Sequence, residues 1–179
     1  TPPAFSPDEA ALELGTNVLG SGKASRLYRD LVVTGLATRV DAWLDDNELA
    51  SIVGVDALVA SGVPIEKVEQ ALEKSLATLA SEGPTPSELE RAKKGIFVSL
   101  ASSLQLLNSG GGESGRAGVL QQLNHYLGDP GRLPAEMQHL GAVRPAEVQA
   151  AIQKHLPVER RLTVVTVPKA STPAKRGTP

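Results

Sequence analysis

Leu36-Ala-Thr-Arg-Val-Asp-Ala-Trp-Leu44 is the stretch that decides the fold. Leu36, Thr38, Val40, Ala42 and Leu44 fall on one face of an extended chain; Ala37, Arg39, Asp41 and Trp43 fall on the other. A period of two is the signature of a β-strand with unlike faces. Immediately upstream, Gly20-Ser-Gly-Lys-Ala-Ser-Arg-Leu-Tyr-Arg-Asp-Leu31 reads as a glycine-bearing break between two helices, with a short helix over 23–33 ending near Gly35. Downstream, Asp45-Asp-Asn-Glu48 is turn chemistry. A second strand over 49–60 follows, with Val53, Val55, Ala57 and Val59 on one face and Gly54 marking a bulge or close packing. A connection this short pairs the two strands as an antiparallel hairpin.

Helices surround the hairpin. Ser6-Pro-Asp-Glu9 offers a serine N-cap, a proline at the first helical position and a glutamate that completes a capping box. Leu12, Val18 and Leu19 carry that helix to Gly20. Beyond the hairpin, Ile65, Val68, Leu72, Leu76 and Leu79 recur at helical spacing up to Gly83-Pro84. Thr85-Pro-Ser-Glu88 repeats the start signal and launches a helix with Leu89, Ala92, Ile96, Leu100 and Leu104 as its stripe. Further helices are expected over 116–127, over 134–141 and from Pro145, with Val148, Ala151, Ile152 and Leu156 inward. A last strand is expected over Leu162–Val167, and the Pro, Ala, Thr, Lys and Arg mixture beyond reads as a tail. Strands and helices are segregated, so the expected class is α+β, an antiparallel sheet covered on one face by helices. Residues 1–168 make one domain and 169–179 the tail.

Composition narrows function by exclusion. The 179 residues are 41% hydrophobic but only 3% aromatic, so the core is built from Leu, Val, Ile and Ala. Eighteen Lys and Arg oppose 20 Asp and Glu, a net charge of −2, without the basic excess and aromatic platforms of a nucleic-acid grip. No apolar run reaches the length of a membrane span. The absence of cysteine removes disulfides and thiolate metal sites. The opening Thr-Pro-Pro-Ala lacks a Met and reads as a fragment.

Candidate chemical motifs are few. The three histidines, His125, His139 and His155, stand in no His-x-x-Glu-His pattern. Glu136 and His139 share a helical face, but two ligands fall short of the three plus water of a catalytic zinc. Gly20-Ser-Gly-Lys23 lacks a phosphate loop's first glycine, Asn17 standing there, and the hydroxyl after its lysine, Ala24 standing there. These glycines read as a helix break. Gly110-Gly-Gly112 reads as a hinge between helices or as backbone facing a substrate chamber, and Lys169, Lys175 and Arg176 as charges on the tail.

Several segments together resemble the pitrilysin/insulinase family of zinc peptidases, which includes the mitochondrial processing peptidases. They are Val18 to Leu31, Thr85 to Lys93, Arg116-Ala117 with Gly128-Asp-Pro130, and Val143 to Val148 leading to 162–167. The resemblance covers roughly residues 6–168. It implies a catalytically silent domain of the family's C-terminal half, which closes a peptide chamber against zinc held in another domain or subunit. It also implies a strand ahead of the first helix, of which Thr1 to Ala4 would be the end, so that one sheet strand is missing and an edge exposed. The family's closing half often supplies an Arg and, seven residues on, a Tyr. Between Leu31 and Val40 this chain has Val32, Val33 and Thr38 instead, and Arg26 and Tyr28 belong to the preceding helix. No catalytic or metal residue is therefore carried over, and no substrate-binding residue is assigned. The missing pair leaves a second reading open: a non-proteolytic scaffold, as the core subunits of the cytochrome bc complex resemble processing peptidases. The composition suggests a bacterial source, and bacterial relatives point to the periplasm or cell envelope.

Overall fold

The computed structural model describes residues 1–107 and 115–167. Helix α1 (Glu9–Gly20) comes first, then a π-helical turn (Tyr28–Val32), then the hairpin β1 (Ala37–Asp45) and β2 (Ile52–Val59). Helices α2 (Ile65–Glu82), α3 (Pro86–Gln105), α4 (Arg116–Leu127), α5 (Leu133–Ala142) and α6 (Pro145–His155) follow, with a 3₁₀ turn (Pro130–Arg132) ahead of α5. The class is α+β, as the sequence implies: a two-stranded antiparallel sheet among helices.

Pairing Val40 with Ala57, Ala42 with Val55 and Leu44 with Val53 puts these residues on the sheet's helix-facing side. One expectation is corrected here. The register shifts between Ala37 and Arg39, so Thr38 is an extra residue and the alternation changes phase. Ala37 is buried, whereas Thr38 is exposed and donates its hydroxyl to the Leu58 carbonyl at 3.2 Å. A bulge of this kind re-aims one side chain and sharpens the local twist. Gly54 marks no bulge. Its place is under the Trp43 ring, where a Cβ would overlap the indole.

Helix α1 lies across β1, and at Gly20 its backbone meets Ala42 so closely that no Cβ fits. Gly22, with φ of 73°, then turns the chain, as only glycine does without strain. The short helix expected over 23–33 is instead a π-helical turn, in which Val33 N–H donates to the Tyr28 carbonyl at 3.0 Å and Leu36 N–H to Leu31 at 2.9 Å. Widening the turn keeps Leu27 and Leu31 fully buried. Around them Leu12, Leu14, Leu79, Val148 and Ile152 complete the core where α1, α2 and α6 converge.

The Thr85 capping box forms in full: Thr85 Oγ1 accepts from Glu88 N–H at 3.2 Å, and Glu88 Oε2 accepts from Thr85 N–H at 2.8 Å. Its counterpart at Ser6 does not. Helix α1 starts at Glu9 behind Asp8, without a side-chain cap. Phe5 takes φ of 56°, and the chain closes through successive backbone turns, Ser6 N–H to the Pro3 carbonyl and Glu9 N–H to the Ser6 carbonyl. Ser6 Oγ is left buried with no partner.

The last strand is also corrected. Residues 161–167 pair with no strand, and Leu162 and Val164 are 88% and 78% exposed. Alternation alone does not make a strand when no neighbouring edge receives its backbone groups. The glycine hinge at 110–112 and the tail at 169–179 lie outside the described residues.

Candidate functional site

Among the described residues, no helix covers the sheet's second side. Pairing Arg39 with Leu58, Asp41 with Asp56, Trp43 with Gly54 and Asp45 with Ile52 puts these residues on that open face. Ile52 and Leu58 are more than half exposed. Trp43 lies flat over Gly54 and donates its indole N–H to Asp56 Oδ2 at 2.6 Å. That bond fixes the ring by its polar edge while its apolar body remains available. The face is therefore a shallow wall, apolar at Trp43, Ile52 and Leu58 and rimmed by carboxylates. It presents apolar side chains to solvent, and among the described residues it holds no nucleophile paired with a base.

The sequence-flagged residues do not assemble elsewhere into chemistry. His125 faces Glu48 at 3.8 Å and meets Tyr126 edge-on; His155 bonds Asp8 at 2.8 Å. Glu136 and His139 do line one groove, but Glu136 is held by Arg132 at 3.0 Å. Among the described residues, no group of three or more His, Asp and Glu side chains is placed to hold a metal ion.

Arg26 has a structural partner that sequence spacing did not disclose. Its guanidinium grips Glu88 through two bonds of 3.0 and 2.8 Å and donates a third to the Gly83 carbonyl at 2.9 Å. The hydrogen bonds from Arg26 and the burial they offset leave the Glu88 carboxyl at about 2. This bidentate fork ties the segment after α1 to the α2–α3 corner.

A second electrostatic feature was also missed. Glu9 and Glu13 lie one turn apart on α1, and neither ion-pairs among the described residues. Burial first, then the charge of Asp46, pushes Glu9 up to about 8 and Glu13 to about 7. A backbone bond from Phe5 offsets only part of the effect at Glu9. In the sequence these glutamates resemble the solvated face of an amphipathic helix; the packing of α3 and α5 beside that helix desolvates them.

Comparison with known proteins gives consistent results. Residues 1–96 match the family model described as the peptidase M16 inactive domain. The chain is 30% identical over 105 residues to the uncharacterized zinc protease YmxG of Bacillus subtilis (strain 168), covering 58% of this chain and 25% of that protein. It thus spans about a quarter of the length of this relative. Among solved structures, the inactive peptidase domain of a candidate zinc protease from Bordetella parapertussis superposes with a TM-score of 0.78 at 25% identity, over 94% of this chain and 88% of that one. The periplasmic protease PqqL from Escherichia coli shares the fold at a TM-score of 0.64 and 17% identity, over 86% of this chain and 16% of that chain.

Proposed function

Since the chain belongs to the peptidase M16 inactive-domain family, we propose that it is the non-catalytic wall of a peptide chamber whose zinc is held by a homologous domain or subunit. The observation that carries this reading is the one-sided sheet. Helices cover the face containing Val40, Ala42 and Leu44, while Trp43, Ile52 and Leu58 stand uncovered on the other. Such a face positions an extended peptide by burying its side chains and adds no reacting group of its own. Binding energy spent on holding the substrate is useful to chemistry performed elsewhere only if the orientation is fixed, and the Trp43–Asp56 bond supplies that rigidity.

The pattern of a zinc peptidase, with a glutamate acting as base on metal-bound water, needs residues this sequence does not place together. A periplasmic or cell-envelope setting belongs to the same proposal; its support is the fold shared with the periplasmic protease, and no helix among the described residues is long and apolar enough to cross a membrane.

The test is zinc content and cleavage of an unfolded peptide by the 179-residue chain, alone and mixed with a zinc-bearing M16 half. The expected result is no stoichiometric zinc and no turnover alone, with turnover in the mixture reduced by Trp43→Ala. Stoichiometric zinc or turnover by the chain alone would overturn the reading.

A further inference from the structure

On the helical side of the molecule, α1, α3, α4 and α5 leave a groove of about 860 Å³, to which no residue of the sheet contributes. Its floor is apolar, from Ile96, Phe97, Leu100, Leu123 and Leu133. The buried stripe of α3 explains why it exists. Leu89 and Ala92 are in the core, but from Ile96 onward the stripe is only half-buried, because it faces this groove instead of a neighbouring helix.

Two features meet at one end. Glu9 and Glu13 line the groove and pair with no cation among the described residues; the titratable groups around them are Asp46 from the β1–β2 connection, Glu136 and His139 from α5, and Arg132, already held by Glu136. Ser6 Oγ, on the same wall, is buried and unpartnered. Desolvated carboxylates that line a groove, with no cation paired to them among the described residues, are what a surface shows when its counterion comes from elsewhere.

We propose that this groove docks a basic amphipathic helix from a partner polypeptide. The apolar face of that helix lies on Phe97, Leu100 and Leu123, and Lys or Arg residues one turn apart reach Glu9 and Glu13, which are themselves one turn apart. A groove of this volume takes one face of a helix, with anchors at i, i+3 or i+4, and i+7. The site is separate from the open sheet face, so its occupant is a partner and not the peptide held in the chamber.

The test is a fluorescence-anisotropy titration, at a pH above 8 where both carboxyls are ionised, of the 179-residue chain with a labelled Leu/Lys peptide of about 18 residues, long enough to become helical on binding. Controls are a scrambled peptide of equal composition and a Glu-for-Lys analogue. Saturable binding is expected for the Leu/Lys helix alone, weaker as salt rises. The double variant E9Q/E13Q should weaken binding about tenfold, and Leu100→Asn should weaken it while both charges remain. Trp43→Ala, on the other face, should leave it unchanged. Thermal melts establish that E9Q/E13Q is folded. Absence of binding, equal binding by either control peptide, or equal affinity in E9Q/E13Q would each overturn the proposal, as would loss of binding in Trp43→Ala.

Discussion

Glu88 and Glu9 are both carboxylates drawn out of water, and the fold treats them in opposite ways. Arg26 meets Glu88 with two hydrogen bonds and holds its carboxyl at about 2; no cation among the described residues meets Glu9, and its carboxyl rises to about 8. The first arrangement joins two segments 62 residues apart in sequence. The second joins nothing and lines a groove. Burial alone therefore does not distinguish the clasp from the groove; whether the buried charge meets a counterion among the described residues does.

The largest expected effect breaks the satisfied side of this contrast. Arg26→Met strands Glu88 and unlatches the Gly83 carbonyl, and removing one partner of a buried pair costs about 3–5 kcal/mol. Denaturant unfolding monitored by circular dichroism checks it. Arg26→Met with Glu88→Gln should recover part of the loss, since glutamine still reaches back to the Thr85 N–H without a charge. If the single variant loses less than a typical surface substitution, the clasp is no structural latch.

The unsatisfied side predicts the reverse sign. Replacing Glu9 and Glu13 by Gln removes charges that folding desolvates, so each variant should gain stability near pH 7.5, by about 1 kcal/mol once their partial exposure is allowed for. The gain should fade toward pH 5, where both carboxyls are protonated in the folded chain already.

Stability against pH separates the two regions in one experiment. For Glu9, whose folded value of about 8 lies above its ordinary 4.5, the folded state holds the proton more tightly. Its ionisation therefore erodes stability progressively as pH rises from 4.5 to 8. For Glu88, with a folded value of about 2, the contribution is complete above 4.5 and is lost as pH falls toward 2. E9Q should flatten the alkaline limb and leave the acid limb unchanged; Arg26→Met should flatten the acid limb alone. A common change on both limbs would mean that the two sites are not independent.

Legibility in the sequence follows the same line. The hairpin, the helix stripes and the Thr85 cap were readable because each rests on residues a few positions apart: Leu89 with Ala92, Trp43 with Leu44, Thr85 with Glu88. What local signals could not reveal was decided at a distance. The capping signal at Ser6 lost to the backbone turns around Phe5. The Leu162–Val167 alternation has the pattern of a strand but pairs with neither β1 nor β2. Arg26 was placed on a packing helix, but its partner came from another corner of the fold. The open sheet face followed from the period of β1 and β2, whereas the groove depends on where α3, α4 and α5 come to rest against Glu9 and Glu13. No spacing rule within α1 encodes that.

The smallest effect supplies the missing third case, a carboxylate that is paired but exposed. Asp8 accepts from His155 Nε2 at 2.8 Å and from Lys154 Nζ at 2.6 Å, tying the start of α1 to the end of α6. The His155 bond, then the Lys154 bond, lowers its carboxyl below the ordinary value. Both ends also suit their helix dipoles, the Asp8 anion ahead of α1 and the Lys154 cation in the last turn of α6. Even so, the pair sits in water, where such bridges are worth about 0–1 kcal/mol. Asp8→Asn should therefore shift the unfolding midpoint only slightly, and the shift should disappear in about 1 M salt, where screening acts within about 3 Å. Arg26→Met should keep its full cost in the same salt, because its pair is shielded from ions as well as from water. If Asp8→Asn proved as damaging and as salt-insensitive as Arg26→Met, pairing alone would account for both, and burial could not be what separates the clasp from the Asp8 bridge.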